Sequence, residues 1–267
     1  MPLPGNPGRS FVRYFLAGVM ALLVAVLVMV TLSRVEQFLI ADTRFHLPPM
    51  PEPGTSSPFF EVEGIHYTSE QQVQQVFARD FGRSLYLCPI ADRRRLLMGV
   101  DWVKDASVSR IWPNKLLVRI TERTPVAYAQ VTTGRVNQFL LIDEDGVFLD
   151  PRKTGNVHLP VVTGIPMNEP EAQRKVRVRR FLRLKSDLDP LMDKISEIDV
   201  ADADNLKLSA TFEHRSLTLM IGNQDFQTRF QNFLNNIPEI RRRAPGATMF
   251  DLRIKGSVLA VGGGNVE

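Results

Sequence analysis

No charged side chain interrupts the chain from Tyr14 through Ser33, and the stretch YFLAGVMALLVAVLVMVTLS is long enough, wound as a helix, to cross roughly 30 Å of hydrocarbon. Such a run commits this part of the chain to a membrane-spanning helix. It exceeds the roughly 7 to 15 apolar residues of a signal-peptide core, and the VTLSRVE that follows offers no small-x-small cleavage site, so residues 14–33 read as an uncleaved anchor. Arg9 and Arg13 are the ionisable side chains before the run, whereas Arg34, Glu36, Asp42 and Arg44 after it are mixed in sign. By the positive-inside tendency, residues 1–13 form a cytoplasmic tail and the bulk lies on the other side, as a single-pass type II protein.

The length of 267 residues and 44% hydrophobic content fit one or two domains with real cores. Net charge is +4, of which Arg9 and Arg13 contribute two, so the balance does not favour nucleic acid. Cys88 is the single cysteine, and followed by Pro-Ile in a leucine-rich run it reads as a small buried hydrophobe. One basic cluster stands out between Arg174 and Lys185. It reads first as a solvated helix face with aliphatic stems lying over apolar neighbours. The alternative is a docking surface, through Arg177, Arg180 and Arg183, for an acidic partner or an anionic cell-wall polymer.

Past the anchor, residues 34–57 form a linker whose stretch from Phe45 to Pro58, rich in Pro, Gly and Ser, favours extended and poorly packed backbone. A strand at Phe59 to Val62 follows, and Ser69 with Gln72 makes a capping box that starts a helix carrying Val73, Val76 and Phe77 inward before Gly82. Pro89 opens a second helix, with Ile90, Leu97 and Met98 inward, Arg93 to Arg95 on its wet side and Gly99 closing it. Between Asp101 and Ala127 two strands form a hairpin. Ala106 and Val108 alternate with Ser107 and Ser109, Pro113-Asn114 supplies the turn, and Leu116, Val118 and Ile120 share one face of the return strand. The order strand, helix, helix, strand, strand over residues 58–125 describes a compact α+β module.

Residues 126–262 are mostly strand, at VAYAQV (126–131), FLLID (139–143), LKLSATF (206–212) and LTLMI (217–221), with turns at Asp143 to Gly146 and at His214-Arg215. Helices occupy Pro170 to Leu184 and Asp225 to Ile240, the second burying Phe226, Phe230, Phe233, Leu234 and Ile237. Arg241 to Arg243 suit its C-terminal dipole. Two last strands lie near Thr248 to Ile254 and Ser257 to Val261, ahead of a flexible tail at 263–267. This half is a mostly antiparallel β domain with helices.

Catalytic signatures do not appear. There is no Ser-x-x-Lys, no Gly-x-Ser-x-Gly and no His-Glu-x-x-His, and His46, His66, His158 and His214 are scattered. Asp143, Glu144 and Asp145 read as a polar turn rather than paired acids, and no metal, cofactor or small-molecule substrate is implied.

Trp102-Val103, Ala106, Val108, Arg110 with Trp112-Pro113, Leu116, Glu122-Arg123 with Pro125-Val126-Ala127, Asp143 with Gly146, Leu159-Pro160 with Gly164, and Asp251-Leu252-Arg253 occur in an order that resembles the FtsQ/DivIB family of bacterial cell division proteins. The resemblance covers essentially the whole chain. It implies a tail and one span, a POTRA domain with the β-α-α-β-β order at 58–125, and a C-terminal β domain. It further implies a non-catalytic divisome scaffold of the inner membrane at the septum, working with FtsB-like and FtsL-like partners and with the septal synthase pair FtsW and FtsI. In that family the last strand captures an FtsB segment by strand addition, which here would use Ile254, Lys255, Gly256, Ser257, Val258, Leu259, Ala260 and Val261. A membrane-anchored cell-wall enzyme and a POTRA-bearing export component are the rival classes.

Overall fold

The structure, a computed structural model, describes residues 7–52, 54–55, 57–133, 136–155, 157–212 and 215–261. The start of the expected cytoplasmic tail, His214 of the expected hairpin turn and the tail at 263–267 lie outside the described residues. The uncharged run forms the middle of one unbroken helix, α1 (Pro7–Ala41), in which Tyr14–Ala41 is apolar enough and long enough to cross a membrane, its residues exposed up to Phe38. The helix thus continues past Ser33 into the expected linker. The chain divides into two compact units, Met1–Glu122 and Arg123–Glu267.

After α1, the first unit contains β1 (Phe60–Glu63), α2 (Glu70–Val76), α3 (Ile90–Leu97), β2 (Val103–Ile111) and β3 (Lys115–Glu122). The return strand β3 is central, antiparallel to β2 and parallel to β1. Hairpin register sets Val108 opposite Val118 and Ala106 opposite Ile120. These side chains share a core with Phe60, Val73, Phe77, Leu85 and Leu97, so the two helices cover one face of the sheet. Gln72 accepts a hydrogen bond from the Ser69 N–H at 3.3 Å, completing the capping box at the start of α2. Cys88 is buried, and burial pushes its thiol up to about 11.

Three local expectations fail here for physical reasons. Leu47, placed in the spacer, is 1% exposed within this core, held by backbone bonds from its N–H to Arg83 O and from the Gly82 N–H to Leu47 O. Met98 points outward at 38% exposure. Arg93 is not on a wet face: Ile90 and Leu97 define the inward stripe of α3, Arg93 falls between them at helical spacing, and its guanidinium meets buried Asp80 at 2.5 Å.

The second unit is built on a nine-stranded sheet. Its strands are β4 (Pro125–Thr133), β5 (Val136–Asp143), β6 (Phe148–Leu149), β7 (Val161–Thr163), β8 (Ile195–Asp199), β9 (Leu206–Phe212), β10 (Arg215–Gly222), β11 (Met249–Asp251) and β12 (Leu259–Val261). They lie in the order β12-β11-β10-β9-β8-β7-β4-β5-β6. Most neighbours are antiparallel, with parallel pairing at β4–β7, β7–β8 and β10–β11. Helices α4 (Glu171–Asp187) and α5 (Phe226–Arg243) bury Val178, Phe181 and Leu184, and Phe226, Phe230 and Phe233, in its core. Leu234 and Ile237 are half-buried against that core. Strands β6, β7 and β8 were not expected.

Candidate interaction edge

Among the described residues, β12 stands at one end of the nine-stranded sheet and pairs with β11 on one side only. Its three residues are exposed, Leu259 at 47% and Val261 at 39%. An outermost strand offers alternate N–H and C=O groups to any extended segment that approaches. The strand is shorter than its sequence implied. Ile254, Lys255, Gly256 and Ser257 form an exposed turn rather than strand, with Gly256 at φ +74 and the Ser257 N–H bonded to Ile254 O.

Asp251 and Arg253 explain the early stop. The Asp251 carboxylate accepts from the Arg253 backbone N–H at 2.9 Å and from its guanidinium at 2.6 Å, a local clasp that competes with ladder pairing and ends β11. The Arg253 guanidinium also holds the Asp251 carboxyl below its ordinary value. Leu252 between them is 2% exposed and anchors the clasp to the core. The Asp-Leu-Arg motif therefore sets where the chain leaves β11 and how β12 returns.

Beside this edge, α5 forms the wall of two grooves. One, of about 280 Å³, is lined by Asn236, Glu239, Ile240, Arg243, Phe250, Val258 and Ala260 among others. The second, of about 430 Å³, runs between α5 and the ends of β9 and β10, over Phe212, Leu217, Phe233 and Ile237, with Arg215 and Arg241 in its lining. Phe233 sets the spacing: its ring lies 5.5 Å from Phe250 and 5.7 Å from Phe212. Val258, half-buried, lines the first groove together with Gly256 and Ala260 of the predicted contact residues.

Three residues of the basic cluster on α4 are engaged by the fold itself. Arg177 meets Glu169 at 2.9 Å and donates to the carbonyls of Val200 and Ala201. Arg174 donates to Gly146 O at 2.7 Å and lies over the Phe148 ring, and Lys175 meets Asp145 at 2.6 Å. Arg177, expected as a docking residue, thus anchors the helix through these partners. Arg180 is half-buried and Arg183 exposed.

Asp143 is buried and organises a turn, as its polar neighbours implied. Its Oδ1 accepts from the N–H groups of Asp145 and Val147, and its Oδ2 takes Arg123 Nη1 at 2.6 Å. Glu122, the preceding residue, has a different task within the first unit. Its carboxylate accepts from the N–H groups of Tyr67 and Thr68 at 3.0 and 2.6 Å. The pair read as a charged strand end is therefore two anchors, each tying its own unit. Trp102 is equally structural: 1% exposed, at φ +70, tilted against Tyr67 at 4.5 Å, with its indole N–H unpartnered among the described residues. Among the described residues no group of His, Cys, Asp and Glu is arranged to hold a metal.

Among the described residues, one helix of spanning length, an α+β module of β-α-α-β-β order and a mixed β module with an open edge define the class of POTRA-bearing, single-pass membrane proteins. Residues 60–123 match the POTRA domain of FtsQ type, and residues 131–253 match the C-terminal domain of cell division protein FtsQ/DivIB. The chain belongs to the FtsQ/DivIB family of cell division proteins. It is 32% identical over 210 residues to cell division protein FtsQ of Koribacter versatilis, covering 76% of this chain and 59% of that one. It is 27% identical to FtsQ of Coxiella burnetii over 54% of each chain. These alignments span little more than half of the relatives' length. The extracytoplasmic domain of DivIB from Geobacillus stearothermophilus aligns at 16% identity over 44% of this chain and 92% of that one, with a TM-score of 0.23. Strand β12 lies beyond the matched C-terminal region.

Proposed function

We propose that this chain is a non-catalytic scaffold of the division machinery, anchored by α1, whose outermost strand β12 captures an extended segment of an FtsB-like partner. FtsL-like proteins and the FtsW/FtsI synthase pair are reached through that partner, and the assembly works at the septum of the inner membrane with the bulk of the chain, in domains at 58–125 and 126–262, outside the cytoplasm. The observation that carries this is the terminal position of β12, paired on one side and exposed along its length. Main-chain bonds there supply affinity, about 0.5–1.5 kcal/mol each net, and the groove beside α5 supplies pockets for the partner's side chains.

The test is capture of an FtsB-like protein by the full chain. Truncation from Gly256 removes β12, and Ala260→Pro removes one ladder donor while leaving the chain length intact. Both variants should insert in the membrane as the parent does and lose the partner. Undiminished capture by the truncated chain overturns the proposal.

A further inference from the structure

The span Tyr14–Ala41 has 28 residues, and at 1.5 Å per residue it measures about 42 Å, the thickness of a bilayer with both headgroup layers included. Its last turn therefore lies at headgroup depth. Phe38, in that turn, is 49% exposed and meets Phe45 edge to face at 5.5 Å. Phe45 in turn meets Trp112, at the tip of the β2–β3 hairpin, at 5.7 Å. Trp112 is 48% exposed and Ile111 beside it 39%.

This aromatic row is fixed to the helix end. Ser84 Oγ donates to Leu39 O at 2.7 Å, and the His46 ring nitrogen lies 2.9 Å from Ile40 O. The hairpin tip is thereby held level with the last turn of α1. Exposed aromatic rings beside the end of a spanning helix have one natural solvent, the boundary between acyl chains and headgroups, where an apolar body and a polar N–H are both satisfied. Charge selects no particular lipid: Arg34, Glu36, Asp42 and Arg44 sum to zero, and Arg44 is clasped by Asp42 at 2.7 Å.

We infer that Trp112, with Phe38 and Phe45, forms a membrane-surface contact that seats the hairpin tip of the first unit in the lipid headgroup layer. The inference rests on α1 spanning the bilayer. The chain has two tryptophans, and Trp102 is buried, so Trp102→Phe leaves Trp112 as sole reporter in the full chain.

Reconstituted in phosphatidylcholine vesicles, this variant should lose about half of its emission or more to lipids brominated near the headgroup, lose less to lipids brominated near the terminal methyl, and resist aqueous acrylamide. Added anionic lipid should change none of this. Should Trp102→Phe fail to fold, the parent chain should show the shallow quenching and Trp112→Phe should lack it. Acrylamide access without bromolipid quenching, in chains that resist alkaline carbonate, overturns the contact alone. Shielding from acrylamide without bromolipid quenching also overturns it, pointing to a protein neighbour. Release of the chain by carbonate overturns the span and the contact together.

Discussion

Arg123 Nη1 lies 2.6 Å from Asp143 Oδ2, with the two side chains 16% and 2% exposed. The pair joins the start of the second unit to the turn after β5, and Asp143 also accepts the two backbone N–H groups that shape that turn. Removing one partner of such a pair strands the other in a site of low polarity, at a cost of about 3–5 kcal/mol. Asp143→Ala should cost more than Arg123→Ala, because it also orphans the N–H groups of Asp145 and Val147. Urea unfolding of the full chain in detergent checks the order, and equal losses would show that the turn does not depend on the carboxylate.

Glu122 gives a pH dependence of defined sign. Burial alone would raise its carboxyl, but backbone N–H groups of His66, Tyr67 and Thr68 outweigh it and hold the group below the ordinary 4.5. A lowered folded value means that the unfolded chain binds the proton first as pH falls. The contribution is therefore present in full above about 4.5 and is lost as pH drops through the folded value. Thermal midpoints of the parent and Glu122→Gln should differ most near neutrality and converge in acid. A gap that stays constant down the acid limb would count against this role.

Gly164 and Gly155 separate backbone strain from crowding. Both have positive φ, +81 and +63, but a Cβ on Gly164 would lie 2.4 Å from Ala201 N while one on Gly155 meets nothing. Gly155→Ala should cost only the left-handed penalty, about 1–2 kcal/mol. Gly164→Ala adds overpacking of about 1–3 kcal/mol and backbone displacement at Ala201. Chemical denaturation of the two variants side by side is decisive, since equal costs would mean that the approach to Ala201 relaxes freely.

Much of the first unit was legible because its signals are local. The alternation around Ala106 and Val108, the Ser69–Gln72 box and the helical spacing of Val73 and Phe77 each report on a neighbour a few residues away. What escaped was set by distant partners. Leu47 is buried because Gly82 and Arg83 close over it, and Arg93 turns inward because Asp80 waits there. Strands β7 and β8 carry only three and five residues and are joined through α4, so no hairpin turn announces them. The outermost position of β12 was expected from the family resemblance and not from local pattern. Its length was not, because the Asp251–Arg253 clasp that shortens β11 is a matter of geometry.

Strand β7 has a consequence for how the second unit assembles. It is three residues long, parallel to both neighbours, and it alone joins the β4–β5–β6 meander to the β8–β9–β10 meander within the sheet. Each meander can close through nearby contacts as soon as its own strands exist. The seam cannot, because Val161–Thr163 acquires its second partner only after the whole of α4 has been traversed and Ile195–Asp199 has arrived. Non-local parallel pairing is slow to nucleate, so closure at β7 follows the local closure of the two meanders. Until then the outer side of β7 is an unpaired edge in the middle of the future sheet, open to pairing with another strand.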